Sequence, residues 1–194
     1  MIQQMISWLP QLLNGAKITI LLTLCAVSMG LLLSIFLALG KMSKNKILSG
    51  ICSVYIFFFR GTPLLMQLYF IYFGLPQINM ALTINSRFFA AFLAFSLNSA
   101  AYCSEFIRAA IQSIDKGQFE ASKALGLSKA QTMQLVIFPQ SIRRLVPSVA
   151  NEFIMVLKDA SLVSIIALAD LTKVTRAISS STGTAMVYIP AMMI

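Results

Sequence analysis

Long apolar runs fenced by polar residues set the pattern of this chain. The clearest runs from Ile18 to Gly40 between Lys17 and Lys41, with no charge inside it. As a helix it covers roughly 30 Å of hydrocarbon. Read the same way, the chain predicts five membrane segments, at about 17–40, 48–75, 86–111, 146–169, and from Thr184 onward. The second is broken near Gly61-Thr62-Pro63, because proline removes a donor and disfavours helix just before it. The fifth is still apolar at Ile194 and short of the roughly twenty residues a crossing needs, so it reads as a helix cut short. Residues 1–16 carry Trp8 and Pro10 but no charge. They lack the basic start and small-residue cleavage site of a signal peptide. They are expected to lie along the membrane interface, where tryptophan is favoured, ahead of a single membrane domain over 17–194. The fold class is all-α, polytopic and membrane-embedded.

Composition strengthens that class: 58% of residues are hydrophobic and 11% charged, against about 25% charged in soluble domains. The net charge of +9 is not a nucleic-acid footprint, because the basic residues lie between apolar segments. Lys41, Lys44, Lys46, Arg108, Lys116, Lys123, Lys129, Arg143 and Arg144 fall on one side. Lys17, Arg87, Lys173 and Arg176 fall on the other. Nine against four puts the amino terminus outside and the polar loop over 113–145 in the cytoplasm. Three cysteines without a CxxC spacing, and no histidine, point to neither a disulfide framework nor a metal site. No GxxxxGK[ST] sequence occurs, so the chain has no phosphate cradle of its own.

The polar loop is the most specific feature. Asp115 with Gln118, and Ser128 with Gln131, have N-cap spacing. Gly126 stands where a left-handed C-cap is wanted. The expected product is a short helix, a glycine turn, and a second helix ending at Pro139. From spacing alone, an amphipathic hairpin packed on its own bundle fits as well as a docking element.

Charges at membrane depth are costly and mark a pathway by default. The midpoint of the fourth segment falls near Lys158 and Asp159, and that of the second beside Arg60 and Thr62. Segment lengths therefore predict one central layer of Arg60, Thr62, Lys158 and Asp159. A broken helix in that layer suits a transport site, and an Arg60–Asp159 ion pair tying two helices together suits it too. Glu105 and Arg108 have i,i+3 spacing for a structural pair at the membrane surface. Asn98 and Asn151 are placed either to line a cavity or to bridge helices. Phe57 to Phe59 and the aromatics from Tyr69 to Phe73 read as packing and interface belts.

Glu120-Ala121-Ser122, Gly126, Val136, Phe138 and Pro139 together resemble the EAA loop of bacterial ABC importer permeases. FFRGTPLLMQLYFIYFGLP at 58–76, AAYCSEFIRAAIQSIDKGQ at 100–118 and NEFIMVLKDASLVSI at 151–165 are similar to hallmark segments of the polar amino-acid branch. Serine stands for the second alanine of the motif, and Val136 and Phe138 for later aliphatics; both changes keep size and apolarity. The resemblance implies a type I importer transmembrane domain without a cofactor, resident in the bacterial inner membrane. Its loop would seat a separate ATPase through Glu120, Ala121, Leu125, Gly126, Leu127 and Ser128. It further implies a homo- or heterodimer of permeases, a periplasmic or lipid-anchored substrate-binding protein, and an amino-acid cargo. Arg60, Thr62, Lys158, Asp159 and Ser161 are the expected pathway residues, with Asp159 toward the cargo's cationic group. Ala160 replaces the family's usual threonine or serine and removes a hydroxyl there. The rival reading is an ion-coupled secondary transporter acting alone, which would leave the loop without a purpose.

Overall fold

A computed structural model describes residues 2–194, and every regular element among them is helical. The principal helices are α1 (Ile2–Lys41), α2 (Lys46–Gly61), α3 (Leu64–Tyr69), α4 (Leu75–Ile78) and α5 (Arg87–Gln112). After them come α6 (Lys116–Ala124), α7 (Lys129–Gln131), α8 (Phe138–Asp159), α9 (Leu171–Thr182) and α10 (Tyr188–Met193). A π turn, Phe70–Gly74, joins α3 to α4, and another, Thr132–Ile137, joins α7 to α8. Among the described residues, the helix Gln3–Lys41 is long and apolar enough to cross a membrane unaided, and Lys46–Gly61 with Leu64–Ile78 qualifies as a broken pair. The later helices fall short by that measure because α5 and α8 carry charge within their length, such as Glu105, Glu152 and Lys158.

The chain divides into two compact units whose boundaries fall inside α1, α5 and α8 and between α2 and α3. The first comprises Met1–Ser28, Thr62–Ser96 and Met155–Ile194. Its apolar centre is Leu12, Ile178 and Val187, with Trp8, Leu171, Val174 and Ala191 packed against them. This changes the expected start of the protein. Residues 2–16 are not a separate element before the first span; they are the opening turns of α1, and their Trp8 and Leu12 pack with residues of α9 and α10. Gly15 makes that contact possible: a side chain there would meet the Leu171 Cα at 2.9 Å and the Asp170 carbonyl oxygen at 3.0 Å. At 40 residues, α1 is about 60 Å long, about twice the hydrocarbon thickness.

α9 occupies residues that fall between the fourth and fifth expected segments. Asp170, 1% exposed, caps it by accepting from the Thr172 and Lys173 backbone N–H groups at 3.0 Å each. Gly183 closes it in left-handed backbone at φ 65°. The chain then forms a 3₁₀ turn, Ala185–Val187, before α10.

The second unit comprises Met29–Gly61 and Leu97–Ile154. Ile111, Ile114 and Ile137 form its buried cluster, joined by Ile107, Met133 and Val136. That cluster fastens the polar loop to the end of α5. The expected stop at Pro139 does not occur, and the helix continues through it to Asp159. The π turn immediately upstream already bonds Phe138 N–H to the Met133 carbonyl, five residues back. The altered ladder admits a residue without an N–H at the next position.

Candidate functional site

The polar loop builds its shape from local bonds. Asp115 caps α6 by accepting from the Gly117 N–H at 2.7 Å. At the other end Gly126 lies at φ 76°. Its N–H bonds the Lys123 carbonyl at 3.0 Å, and the Leu127 N–H bonds the Ser122 carbonyl at 3.1 Å. This pair of bonds is a Schellman motif, which satisfies carbonyls that a helix end leaves open. Ser128 starts α7 with a reciprocal capping box: its N–H donates to Gln131 Oε1 at 2.9 Å, and its Oγ accepts from the Gln131 N–H at 3.3 Å. Asp115 and Ser128 cap their helices as the sequence predicts, although Asp115 holds Gly117 rather than Gln118.

This scaffold leaves Glu120, Ala121, Leu125, Gly126 and Ser128 exposed and Leu127 half-buried. Leu125, an apolar side chain at a polar surface, is 80% exposed. Beside the turn Phe119, Lys123, Leu127, Ser128, Thr132 and Met133 line an open cavity of about 590 Å³. The loop is anchored from behind by Gln140, which donates to Gln118 Oε1 at 3.2 Å, and by Arg144, which donates to the Ser113 carbonyl.

Of the expected pathway residues, Thr62, Lys158, Asp159 and Ser161 belong to the first unit and Arg60 to the second. In the first unit Thr62 lies at the start of the α3 segment, where Gln67 Nε2 donates to its hydroxyl at 2.8 Å and its carbonyl at 3.1 Å. α3 packs against the 3₁₀ turn Ala160–Ile166, which directly follows Asp159. Asp159 is half-buried as the last residue of α8, while Lys158 and Ser161 are exposed. Counting from Val146 put Lys158 at a helix midpoint; α8 starts at Phe138, so Lys158 falls in its final turn. Counting along the second segment also fails, because Pro63 is extended at ψ 133° and interrupts the rod.

Arg60 belongs to the second unit, where its acidic neighbour is Glu105 at 3.9 Å and its guanidinium lies 5.2 Å from the Tyr102 ring centroid. The expected Glu105–Arg108 pair is present at 2.8 Å. Lys41, 64 residues away in sequence, joins the same carboxylate at 2.8 Å. Glu105 thus gathers three cations, a convergence that spacing could not reveal. Asn98 resolves toward bridging: its side chain donates to the Phe59 carbonyl at 3.0 Å. The aromatic runs pack largely on themselves, as in Tyr55–Phe59 and Tyr69–Phe73, at 4.5 and 5.7 Å between centroids.

Comparison with known proteins places this architecture. A putative glutamine transport system permease protein, GlnP, from Rickettsia bellii is 41% identical over 186 residues, covering 94% of this chain and 84% of that protein. The arginine transport system permease protein ArtQ of Bacillus subtilis is 42% identical over 165 residues, covering 85% and 74%. Among solved structures, the crystal structure of an amino acid ABC transporter with histidines superposes with a TM-score of 0.92 and 42% identity, covering 98% of this chain and 88% of that one. An inward-facing MetNI methionine ABC transporter shares the fold alone, at TM-score 0.75 and 18% identity over 95% and 88%. The fold is that of a type I ABC importer transmembrane domain. These matches set aside the ion-coupled transporter working alone. The family model for the binding-protein-dependent transport system inner membrane component matches residues 30–194, and the chain belongs to that family.

Proposed function

We propose that this chain is the permease subunit through which an ABC importer moves a polar amino acid across the bacterial inner membrane, with ATP hydrolysed by a partner subunit docked on the polar loop. The observation that carries the proposal is the exposed Glu120–Ser128 surface, held by the left-handed Gly126 between two capped helices. A rigid turn that presents an exposed leucine suits insertion into a groove of another protein. Glu120, Ala121, Leu125, Gly126, Leu127 and Ser128 form the contact. A substrate-binding protein, periplasmic or lipid-anchored, delivers cargo from outside, and a second permease, identical or homologous, completes the pathway. The nine-to-four distribution of basic residues supports an external amino terminus and a cytoplasmic loop. Thr62, Lys158, Asp159 and Ser161 line the route, with Asp159 toward the cationic group of the cargo. Arg60 is assigned to the Glu105 cluster instead.

Two measurements test this reading. Affinity purification of the chain should bring down an ATPase, and reconstituted complex should take up amino acids from a panel in an ATP-dependent manner. Asp159→Asn should keep the complex intact while weakening uptake roughly tenfold, the loss expected when a charge-assisted hydrogen bond becomes neutral. Uptake at the wild-type rate in Asp159→Asn would remove that residue from the pathway. Failure to recover any ATPase would overturn the docking assignment.

A further inference from the structure

The second unit holds an open cavity of about 360 Å³, part polar and part apolar, that neither the loop nor the proposed pathway uses. Lys41, Ser53, Phe57, Arg60 and Tyr102 line it. Charge around it is unbalanced. Glu105 is the carboxylate these cations share, and its two oxygens accept from Lys41 at 2.8 Å and Arg108 at 2.8 Å. Arg60 is left 3.9 Å away, beyond hydrogen-bond length, with its side chain 43% exposed. Three cations thus face one anion.

The apolar surroundings matter equally. Phe57, on the cavity wall, is 80% exposed, and Val54, Ile51 and Ile47 continue the same face of α2 at 69%, 64% and 75% exposure. A site with excess positive charge beside a continuous apolar stripe on a membrane protein matches an amphiphile with an anionic head. A guanidinium with free donors suits a phosphate, and basic pockets between membrane helices bind anionic lipid headgroups. We infer that this cavity is a binding site for an anionic phospholipid, whose phosphate is held by Arg60 with Lys41 alongside and whose apolar part rests against the exposed Phe57. The inference needs only that the chain is a membrane component, so it stands or falls separately from the cargo and the ATPase.

The test uses the full chain purified in detergent, stripped of lipid and titrated with phosphatidylglycerol, with bound lipid counted by native mass spectrometry. Phosphatidylglycerol should bind more tightly than phosphatidylcholine of the same acyl length. Arg60→Gln, which breaks no hydrogen bond within the protein, should weaken phosphatidylglycerol binding roughly fivefold. Ser53→Trp fills the cavity without altering any charge and should weaken it similarly. Lys116→Gln, on exposed α6, should not. Equal binding of the two lipids would overturn the inference, as would wild-type phosphatidylglycerol affinity in both Arg60→Gln and Ser53→Trp. Displacement of the lipid by equimolar glycerol phosphate would identify a soluble-anion site and overturn it also. If Arg60→Gln fails to fold, the Ser53→Trp result decides.

Discussion

Gly126 and Gly61 both end helices, yet the two ends are held in different ways. At Gly126 the backbone turns left-handed, and every bond that fixes the turn lies within residues 122–131. At Gly61 there is no positive φ. The chain passes through an extended Pro63, and Gln67, buried to 6% exposure, reaches back to hold Thr62. One interruption is specified by residues that need only each other. The other depends on a buried polar side chain, and on α3 finding the turn after α8. The first arrangement suits the docking role proposed for this loop, since such an element must keep its shape while its partner comes and goes.

The contrast can be broken, beginning with its largest expected effect. Gln67→Leu leaves the Thr62 carbonyl without that donor in a buried setting and should cost about 1–3 kcal/mol. Thermal unfolding of the purified protein in detergent should show the loss, and an unchanged midpoint would mean the break does not rely on this clamp. Next is Gly126→Val. No atom lies within 4 Å of a side chain built there, so its cost of about 1–2 kcal/mol is purely conformational. The helices of the second unit should keep their hydrogen-exchange protection while the turn loses its own and the ATPase no longer copurifies. Gly126→Asn, which tolerates the left-handed region, should recover most of the association.

Smaller effects sharpen the same comparison. Ser128→Ala removes half of the capping box and should cost about 1 kcal/mol, read as faster exchange confined to the amides of α7. Should exchange quicken across α5 as well, the loop is not autonomous. Pro63→Ala acts on the other side: the φ of −63° suits proline, so replacing it should lower stability by about 0.4–1 kcal/mol through a freer unfolded chain. A larger fall would show that the proline ring also packs.

Local chemistry is what the sequence made legible. Asp115, Gly126 and Ser128 sit in the roles their neighbours predict, because caps and left-handed turns involve residues a few positions apart. Asp170 and Gly183 carry the same kind of signal around α9, but the polar residues between them read more readily as a connection. The continuation through Pro139 was hidden for another reason: a π turn shifts the hydrogen-bond ladder without leaving a periodic mark. The partner of Arg60 is equally hard to foresee, because counting along a segment assumes a straight rod and Pro63 breaks it. The gathering of Lys41, Arg60 and Arg108 on Glu105 is tertiary and has no spacing to betray it.

That gathering also implies an order of events at the ribosome. Arg108 follows Glu105 within a single helical turn, so the carboxylate meets its first cation almost as soon as both have been made. Lys41 is synthesised 64 residues earlier. At about 5–20 residues per second it waits roughly 3–13 s for its partner. Throughout that interval Lys41 stays a bare charge at the end of an apolar helix, free to hold that end at the membrane surface. The bond to Glu105 can form only once both residues have been made, so the tie between α1 and α5 is a late event while the Glu105–Arg108 contact is an early one.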